Sequence, residues 1–120
     1  MISQPARYVM LNILIVEDDA MIGMDLEWMV TDLGYFVLGP YRNLLEGVEH
    51  ATHDDIGFAL LDFDLGSGTN AMPIAEILSE RQIDFAFTTG TASADIRNLL
   101  PGATIIGKPV SETTLQRVLP

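Results

Sequence analysis

The sequence predicts a doubly wound α/β domain, in which helices cover both faces of a five-stranded parallel sheet. Short, nearly continuous apolar runs alternate along the chain with longer segments of helical periodicity. Such an alternation favours right-handed crossovers between parallel strands. The 120 residues, of which 48% are hydrophobic, match the size of one compact domain with a single core. We therefore expect one domain at 11–120, preceded by an N-terminal extension at 1–10.

Each element follows from a local pattern. Leu-Asn-Ile-Leu-Ile-Val at 11–16 is apolar and β-branched, as in a strand buried on both faces. Asp19 is the expected N-cap of the first helix, which Gly34 ends. Strands are then predicted at 36–38, 57–61, 85–88 and 104–106, and helices at 44–51, 71–80, 94–100 and 112–119. Pro73 fits the first turn of its helix, and Pro101 with Gly102 ends the next one.

Composition excludes several functions. The chain has six Lys and Arg residues and 17 Asp and Glu residues. Its net charge of −11 would repel a phosphate backbone, so we expect no nucleic-acid partner. The absence of cysteine excludes disulfides and thiol chemistry. Gln4, Pro5 and Arg7 interrupt the first ten residues, which leaves no stretch for a signal peptide or membrane span. The expected location is cytoplasmic.

Reactive side chains follow the predicted strands. In open parallel sheets such groups gather beyond the carboxyl ends of the strands, where the strand order reverses. Glu17 and Asp18 follow the first strand, Asp62 the third, Thr89 the fourth and Lys108 the fifth. Three carboxylates, a hydroxyl and an ammonium group are therefore expected to converge at one edge of the sheet.

This set suits phosphoryl transfer. Clustered carboxylates repel one another unless a cation lies among them, and Mg²⁺ prefers oxygen ligands. Zinc would need His or Cys, and His50 and His53 lack a ligand spacing, so we expect them to be solvated. An aspartate that attacks phosphorus forms an acyl phosphate. Lys108 and Mg²⁺ would neutralise the phosphoryl oxygens, the hydroxyl of Thr89 would donate a hydrogen bond to one of them, and Gly90 would leave room for the group.

Four motifs together resemble the receiver domains of two-component response regulators: Ile-Leu-Ile-Val-Glu17-Asp18-Asp19, Leu60-Leu61-Asp62, Thr89-Gly90 and Gly107-Lys108-Pro109. The resemblance spans 11–119 and implies a flavodoxin-like (βα)5 fold with strand order 2-1-3-4-5. It implies the following roles: phosphoacceptor for Asp62, metal ligands for Glu17, Asp18, Asp62 and the backbone carbonyl of Asp64, switch hydroxyl for Thr89, phosphate-binding lysine for Lys108 and a cis peptide bond before Pro109. The implied cofactor is Mg²⁺, with Mn²⁺ as a substitute.

The resemblance also implies partners. A receiver takes its phosphoryl group from a sensor histidine kinase or a histidine phosphotransfer protein, and catalyses its own phosphorylation and dephosphorylation without being an enzyme that acts on other substrates. We expect a stand-alone receiver that is a monomer or a weak homodimer. One departure concerns output, because Ile105 stands where most receivers carry a Tyr or Phe that rotates on phosphorylation.

The first helix carries an unusual apolar stripe. Ile22, Leu26, Met29, Val30 and Leu33 form the expected core face, whereas Met21, Met24 and Trp28 cluster roughly opposite. Methionine and aromatic patches suit docking of a partner helix. The alternative is that the last helix or the segment at 8–10 covers the stripe.

Two other functions compete with the receiver. Asp62-Phe63-Asp64 resembles the nucleophile motif of haloacid-dehalogenase-like phosphatases, but that class needs an acidic pair after the lysine, and only Glu112 follows Lys108. The other is a receiver-shaped scaffold that binds partners without phosphorylation. The acidic set favours the receiver.

Overall fold

The computed structural model describes residues 10–90 and 94–120, and the expected extension therefore lies almost entirely outside the described residues. Strands and helices alternate along the chain. The strands are β1 (Asn12–Val16), β2 (Phe36–Tyr41), β3 (Phe58–Asp62), β4 (Phe85–Thr89) and β5 (Thr104–Gly107). The helices are α1 (Ala20–Asp32), α2 (Leu44–His53), α3 (Met72–Glu80), α4 (Ala94–Leu99) and α5 (Glu112–Val118).

The five strands form one parallel sheet in the order β2-β1-β3-β4-β5, as predicted. The chain moves outward from β1 to β2 and then returns to the other side of β1 with β3. The strand order thus reverses between β1 and β3, which end at Val16 and Asp62. Ligand sites in such sheets lie at this point.

Side-chain alternation along the strands divides the core into two layers. Leu14, Leu61 and Phe87 pack on the face covered by α2 and α3. Ile13, Leu60 and Ala86 pack on the opposite face with Leu26 of α1 and Leu115 of α5. Because side chains two residues apart in a strand share a face, Asp62, which follows Leu60 by two, points to the side of α1 and α5. The alternation therefore aims the end of β3 at the first turn of α1.

Strand β2 is longer than predicted. The sequence prediction stopped at Leu38 because Gly39 and Pro40 interrupt it, yet the strand continues to Tyr41 through a cis Gly39–Pro40 bond. An edge strand tolerates proline because one row of its backbone groups needs no partner in the sheet. The pairing with β1 shifts register here, so that Tyr41 pairs with Val16. This extension brings β2 alongside the end of β1.

The other predicted boundaries lie within two residues of the observed ones. Asp19 is the N-cap of α1, as predicted. His50 differs from the expectation of a solvated side chain, because its ring stacks on Tyr41 with centroids 3.8 Å apart and its Nδ1 lies 2.8 Å from Asp54 Oδ2. In the described ranges, no helix has both the length and the apolar composition needed to cross a membrane.

Candidate functional site

The connection between β1 and α1 presents two carboxylates and uses a third to start the helix. Asp19 Oδ1 accepts hydrogen bonds from the backbone N–H groups of Met21 at 2.9 Å and Ile22 at 3.0 Å. Capping satisfies two donors that the helix itself leaves unpaired. Glu17 and Asp18 are thereby left to face the cleft at the edge of the sheet.

The extended end of β2 holds this loop from the side. The Glu17 N–H donates to the Tyr41 carbonyl at 2.8 Å. The Arg42 guanidinium donates from Nε at 3.3 Å and from Nη2 at 3.2 Å to the carbonyl oxygen of Asp18. Pro40 fills the space beside Gly23 of α1, where a Cβ atom would lie 3.2 Å from the Pro40 Cβ. These contacts therefore hold in place the backbone from which the Glu17 and Asp18 side chains extend.

Three predicted carboxylates meet at the carboxyl ends of β1 and β3. One oxygen from each of Glu17, Asp18 and Asp62 lies within 4.8 Å of the others. Glu17 is fully buried, and Asp62 is 4% exposed. The Lys108 ammonium lies 2.9 Å from Glu17 Oε1 and 3.2 Å from Asp62 Oδ1. One cation therefore offsets part of the charge of three buried or partly buried acids.

Burial is the main cause that raises the pKa of Asp62 to about 8, and its hydrogen bonds with Glu17 and Asp18 act in the same direction. The pKa of Asp18 is lowered, chiefly by its hydrogen bond with Asp62. Asp62 and Asp18 thus form a carboxyl–carboxylate pair with the proton on Asp62 at neutral pH. Burial alone would lower the pKa of Lys108, but its bonds to Glu17 and Asp62 outweigh burial and raise it.

The cluster has the donor set of a hard divalent cation. Its groups are carboxylate oxygens, and Mg²⁺ binds through one or two carboxylates while it keeps several waters. Burial is the main cause of the raised pKa of Asp62, and the neighbouring acids add to it, so a cation among these oxygens would favour the ionised carboxylate. Neither His50 nor His53 lines the cleft. The residues present therefore fit magnesium and do not fit zinc.

The other predicted residues surround the same cleft, whose volume is ≈ 320 Å³. Thr89 is 7% exposed and lines the cleft together with Asp64, Gly90 and Lys108. Apart from the chain neighbours of Gly90, no atom of the described residues lies within 4 Å of the position that a Cβ on Gly90 would occupy. The Lys108–Pro109 peptide bond is cis. A group of phosphate size can enter between Asp62, Thr89 and Lys108.

Ile105 lies on β5 away from this cleft. It is half-buried and packs against the core layer that contains Phe87, its direct neighbour on β4. An aliphatic side chain at this position has no polar tip that could exchange a solvent contact for a buried one.

The stripe on α1 is exposed. Met21 is 77% exposed, and Met24 and Trp28 are each 66% exposed. Trp28 also borders an apolar groove of ≈ 430 Å³ between α1 and the segment from Lys108 to Val110. Its walls are formed by Ile22, Asp25, Leu26, Trp28, Met29, Lys108, Pro109 and Val110. The groove and the acidic cleft share Ile22 and Lys108.

Sequence reasoning missed two features near the site. The first is the support of the acidic loop by Tyr41 and Arg42, which depends on the unforeseen extension of β2. The second is Thr88, whose hydroxyl is buried without a hydrogen-bond partner among the described residues. A polar residue at the fourth position of the otherwise apolar Phe-Ala-Phe-Thr was the available signal, but β propensity alone accounts for threonine in a strand.

The chain as a whole is similar to known signalling proteins in sequence and in fold. No family model matches the chain. The chain is 30% identical over 111 residues to the phyllosphere-induced regulator PhyR of Methylorubrum extorquens. This similarity covers 90% of the chain but only 42% of that regulator, so the chain spans less than half of the relative's length.

Solved structures share the fold over nearly the whole chain. SdrG from Sphingomonas melonis Fr1 is 28% identical with a TM-score of 0.81, and covers 92% of this chain and 93% of its own. The receiver domain of PhyR from Erythrobacter litoralis is 27% identical with a TM-score of 0.74, and covers 90% and 85%. The receiver domain of a Pseudomonas aeruginosa PAO1 sensor histidine kinase, with magnesium in its active site cleft, is 23% identical with a TM-score of 0.79, and covers 92% and 94%.

Proposed function

Because this chain is a receiver domain of the response regulator type, we propose that it accepts a phosphoryl group on Asp62 from a phosphohistidine of a signalling partner. One observation carries the proposal: the Asp62 carboxyl lies among the oxygens of Glu17 and Asp18 and 3.2 Å from the Lys108 ammonium. An aspartate with a purely structural role would not need two further carboxylates and an ammonium group around it.

The transfer is a displacement at phosphorus. An Asp62 carboxylate oxygen forms the new P–O bond while the P–N bond to the donor imidazole breaks, and the departing imidazole keeps the electron pair. The Lys108 ammonium, which already contacts Asp62, donates a charge-assisted hydrogen bond to a phosphoryl oxygen. The Thr89 hydroxyl donates to another oxygen from the same cleft. Most of the catalysis comes from positioning and charge neutralisation.

We propose that magnesium binds through Glu17, Asp18 and Asp62, with the backbone carbonyl of Asp64 as a further ligand. Magnesium supplies charge that neutralises the carboxylates and the phosphoryl oxygens. The all-oxygen donor set supports this choice, as does the magnesium found in a receiver domain of the same fold. Because the pKa of Asp62 is raised to about 8, a cation held at this site would favour the ionised form of Asp62.

The partner we propose is a sensor histidine kinase or a histidine phosphotransfer protein that docks on α1. The exposed side chains of Met21, Met24 and Trp28 form an apolar stripe that begins in the first turn of α1, the turn whose Ile22 lines the acidic cleft. A helix laid against this stripe would bring its histidine to the edge of the sheet where Asp62 lies. The adjoining groove beside Trp28 can take one apolar side chain of that helix.

Mass spectrometry after incubation with acetyl phosphate and Mg²⁺ tests the chemistry. The wild type should gain the mass of one phosphoryl group, and Asp62→Ala should gain none. Asp84→Ala is the matched control, because Asp84 is an exposed aspartate directly before β4. An unlabelled wild type that still binds a histidine kinase would instead favour the scaffold function. Labelling of Asp62→Ala equal to the wild type would move the acceptor elsewhere.

A further inference from the structure

Thr88 is a buried polar residue whose hydroxyl makes no hydrogen bond within the described part of the chain. The residue is 1% exposed. A valine has nearly the same shape and would avoid the cost of burying an unpaired hydroxyl. Native proteins leave few such groups, and each one calls for a physical reason.

Strand register places this hydroxyl beside the phosphoryl acceptor. Thr88 of β4 and Asp62 of β3 are direct partners in the parallel ladder. Adjacent strands lie about 4.8 Å apart, and paired residues point to the same face. Two residues earlier, Ala86 packs in the layer with α1 and α5, and alternation carries Thr88 to that same side. A change of χ1 can therefore turn the Thr88 hydroxyl toward the Asp62 carboxyl.

In the described part of the chain, the contacts of the Asp62 carboxyl are with charged or acidic groups. Its side chain interacts with two acids, Glu17 and Asp18, and with the ammonium of Lys108 on Oδ1. A carboxylate has sites for about four hydrogen bonds, so these contacts leave room for a further donor. A threonine hydroxyl on the neighbouring strand would add a contact from a fixed direction. Thr88 lies on β4 directly opposite Asp62 of β3.

We propose that Thr88 is a positioning residue for phosphoryl transfer: its hydroxyl donates to the ionised Asp62 carboxylate and sets the plane in which that carboxylate meets phosphorus. The hydroxyl keeps its proton throughout and forms no bond to phosphorus. This inference rests on the proposed function of Asp62. It also explains why a hydroxyl is kept where a methyl group would stabilise the fold.

Replacement of the hydroxyl by a methyl group tests the inference. Under saturating Mg²⁺, Thr88→Val should lower the rate constant of labelling by acetyl phosphate by about threefold or more, whereas Thr88→Ser should stay near the wild type. The melting temperature of Thr88→Val should be equal or higher. If Thr88→Val is labelled more slowly but is at least as stable as the wild type, a damaged fold cannot be the cause of the lower rate. Thr104→Val on β5 is the control, because Thr104 is exposed and pairs with Ala86.

A second measurement does not depend on labelling. The carbon-13 resonance of the Asp62 carboxyl, recorded with Mg²⁺ and without a phosphoryl donor, should shift in Thr88→Val and not in Thr104→Val. If the wild type takes no label, the proposed function fails and this resonance alone decides the inference. An unchanged resonance together with a wild-type rate would overturn it, and so would an equal loss in Thr88→Ser. If valine disturbs the packing, Thr88→Ala can take its place. The labelling rate and the Asp62 resonance of Thr88→Ala are then compared with those of Thr88→Ser by the same criteria.

Discussion

At the scale of single residues, the acidic cleft is a site where burial and mutual repulsion oppose ionisation. Asp62 shows this most clearly, since burial and its neighbours raise its pKa to about 8 from an ordinary value of 3.8. The folded protein therefore holds a proton that the unfolded chain releases between these two pH values. Stability that depends on this proton is complete below the unfolded pKa and is lost as the pH rises through the folded one.

We therefore predict that, without divalent cations, the melting temperature falls as the pH rises from about 5 to 9, because the unfolded chain binds fewer protons in this range. Asp62→Asn should flatten this dependence, since an amide carries no titrating proton. Thermal denaturation at a series of pH values with a chelator present measures both. A wild-type curve as flat as that of Asp62→Asn would show that Asp62 is ionised in the folded protein throughout.

At the scale of elements, the pattern of the strands predicted most of the fold. The end of β2 is where this prediction failed. Apolar runs bounded by turn residues located all the strands, and their carboxyl ends located Glu17, Asp18 and Asp62. The end of β2 was missed because Gly and Pro usually end a strand, and the local pattern does not show that pairing with β1 resumes at Tyr41 after a shift of register. Arg42 and its contact with Asp18 were hidden for the same reason.

Gly39→Ala tests the importance of this end of β2. A Cβ at Gly39 would lie 2.6 Å from the Tyr41 nitrogen and 2.8 Å from the Ile15 carbonyl, and φ is 101°. Gly34 has a similar φ of 97° but no atom within 4 Å of its Cβ position, so Gly34→Ala measures the backbone term alone. We expect about 1–2 kcal/mol for Gly34→Ala and clearly more for Gly39→Ala in urea unfolding. Equal losses would mean that β2 relaxes freely around the added methyl group.

A variant on helix α1 can distinguish partner docking from the chemistry at Asp62. Trp28→Ala should slow phosphotransfer from the cognate partner by about thirtyfold, as expected for the loss of ~2 kcal/mol at a central aromatic contact. Labelling by acetyl phosphate should not change, because Trp28 does not line the acidic cleft. Leu45→Ala on α2 is the matched control, since Leu45 is an 81% exposed apolar side chain on another helix. Equal phosphotransfer rates in both variants and the wild type would place the docking surface elsewhere.

At the scale of the whole molecule, charge and metal binding are linked to stability. The net charge of −11 opposes the compact state, and part of it is concentrated in the cleft. We predict that Mg²⁺ at a hundred times its dissociation constant raises the free energy of unfolding by ~2.7 kcal/mol. Melting curves with and without Mg²⁺ measure the shift.

Asp18→Asn should remove most of that shift, because it withdraws a partly buried carboxylate ligand without changing side-chain shape. Asp25→Asn on α1 controls for the loss of one negative charge, since Asp25 lines the apolar groove instead of the cleft. A full Mg²⁺ response in Asp18→Asn would place the cation at another site.

Lys108 lies on the wall between the apolar groove and the acidic cleft, and Trp28, the single tryptophan of the chain, borders the groove. Indole emission responds to the charges and water around the ring. Under the proposed function, the Lys108 ammonium would turn from Glu17 and Asp62 toward a bound phosphoryl group and so change the electric field at the indole. We therefore expect stopped-flow fluorescence of Trp28 to report cation binding, phosphorylation and partner association without an attached dye.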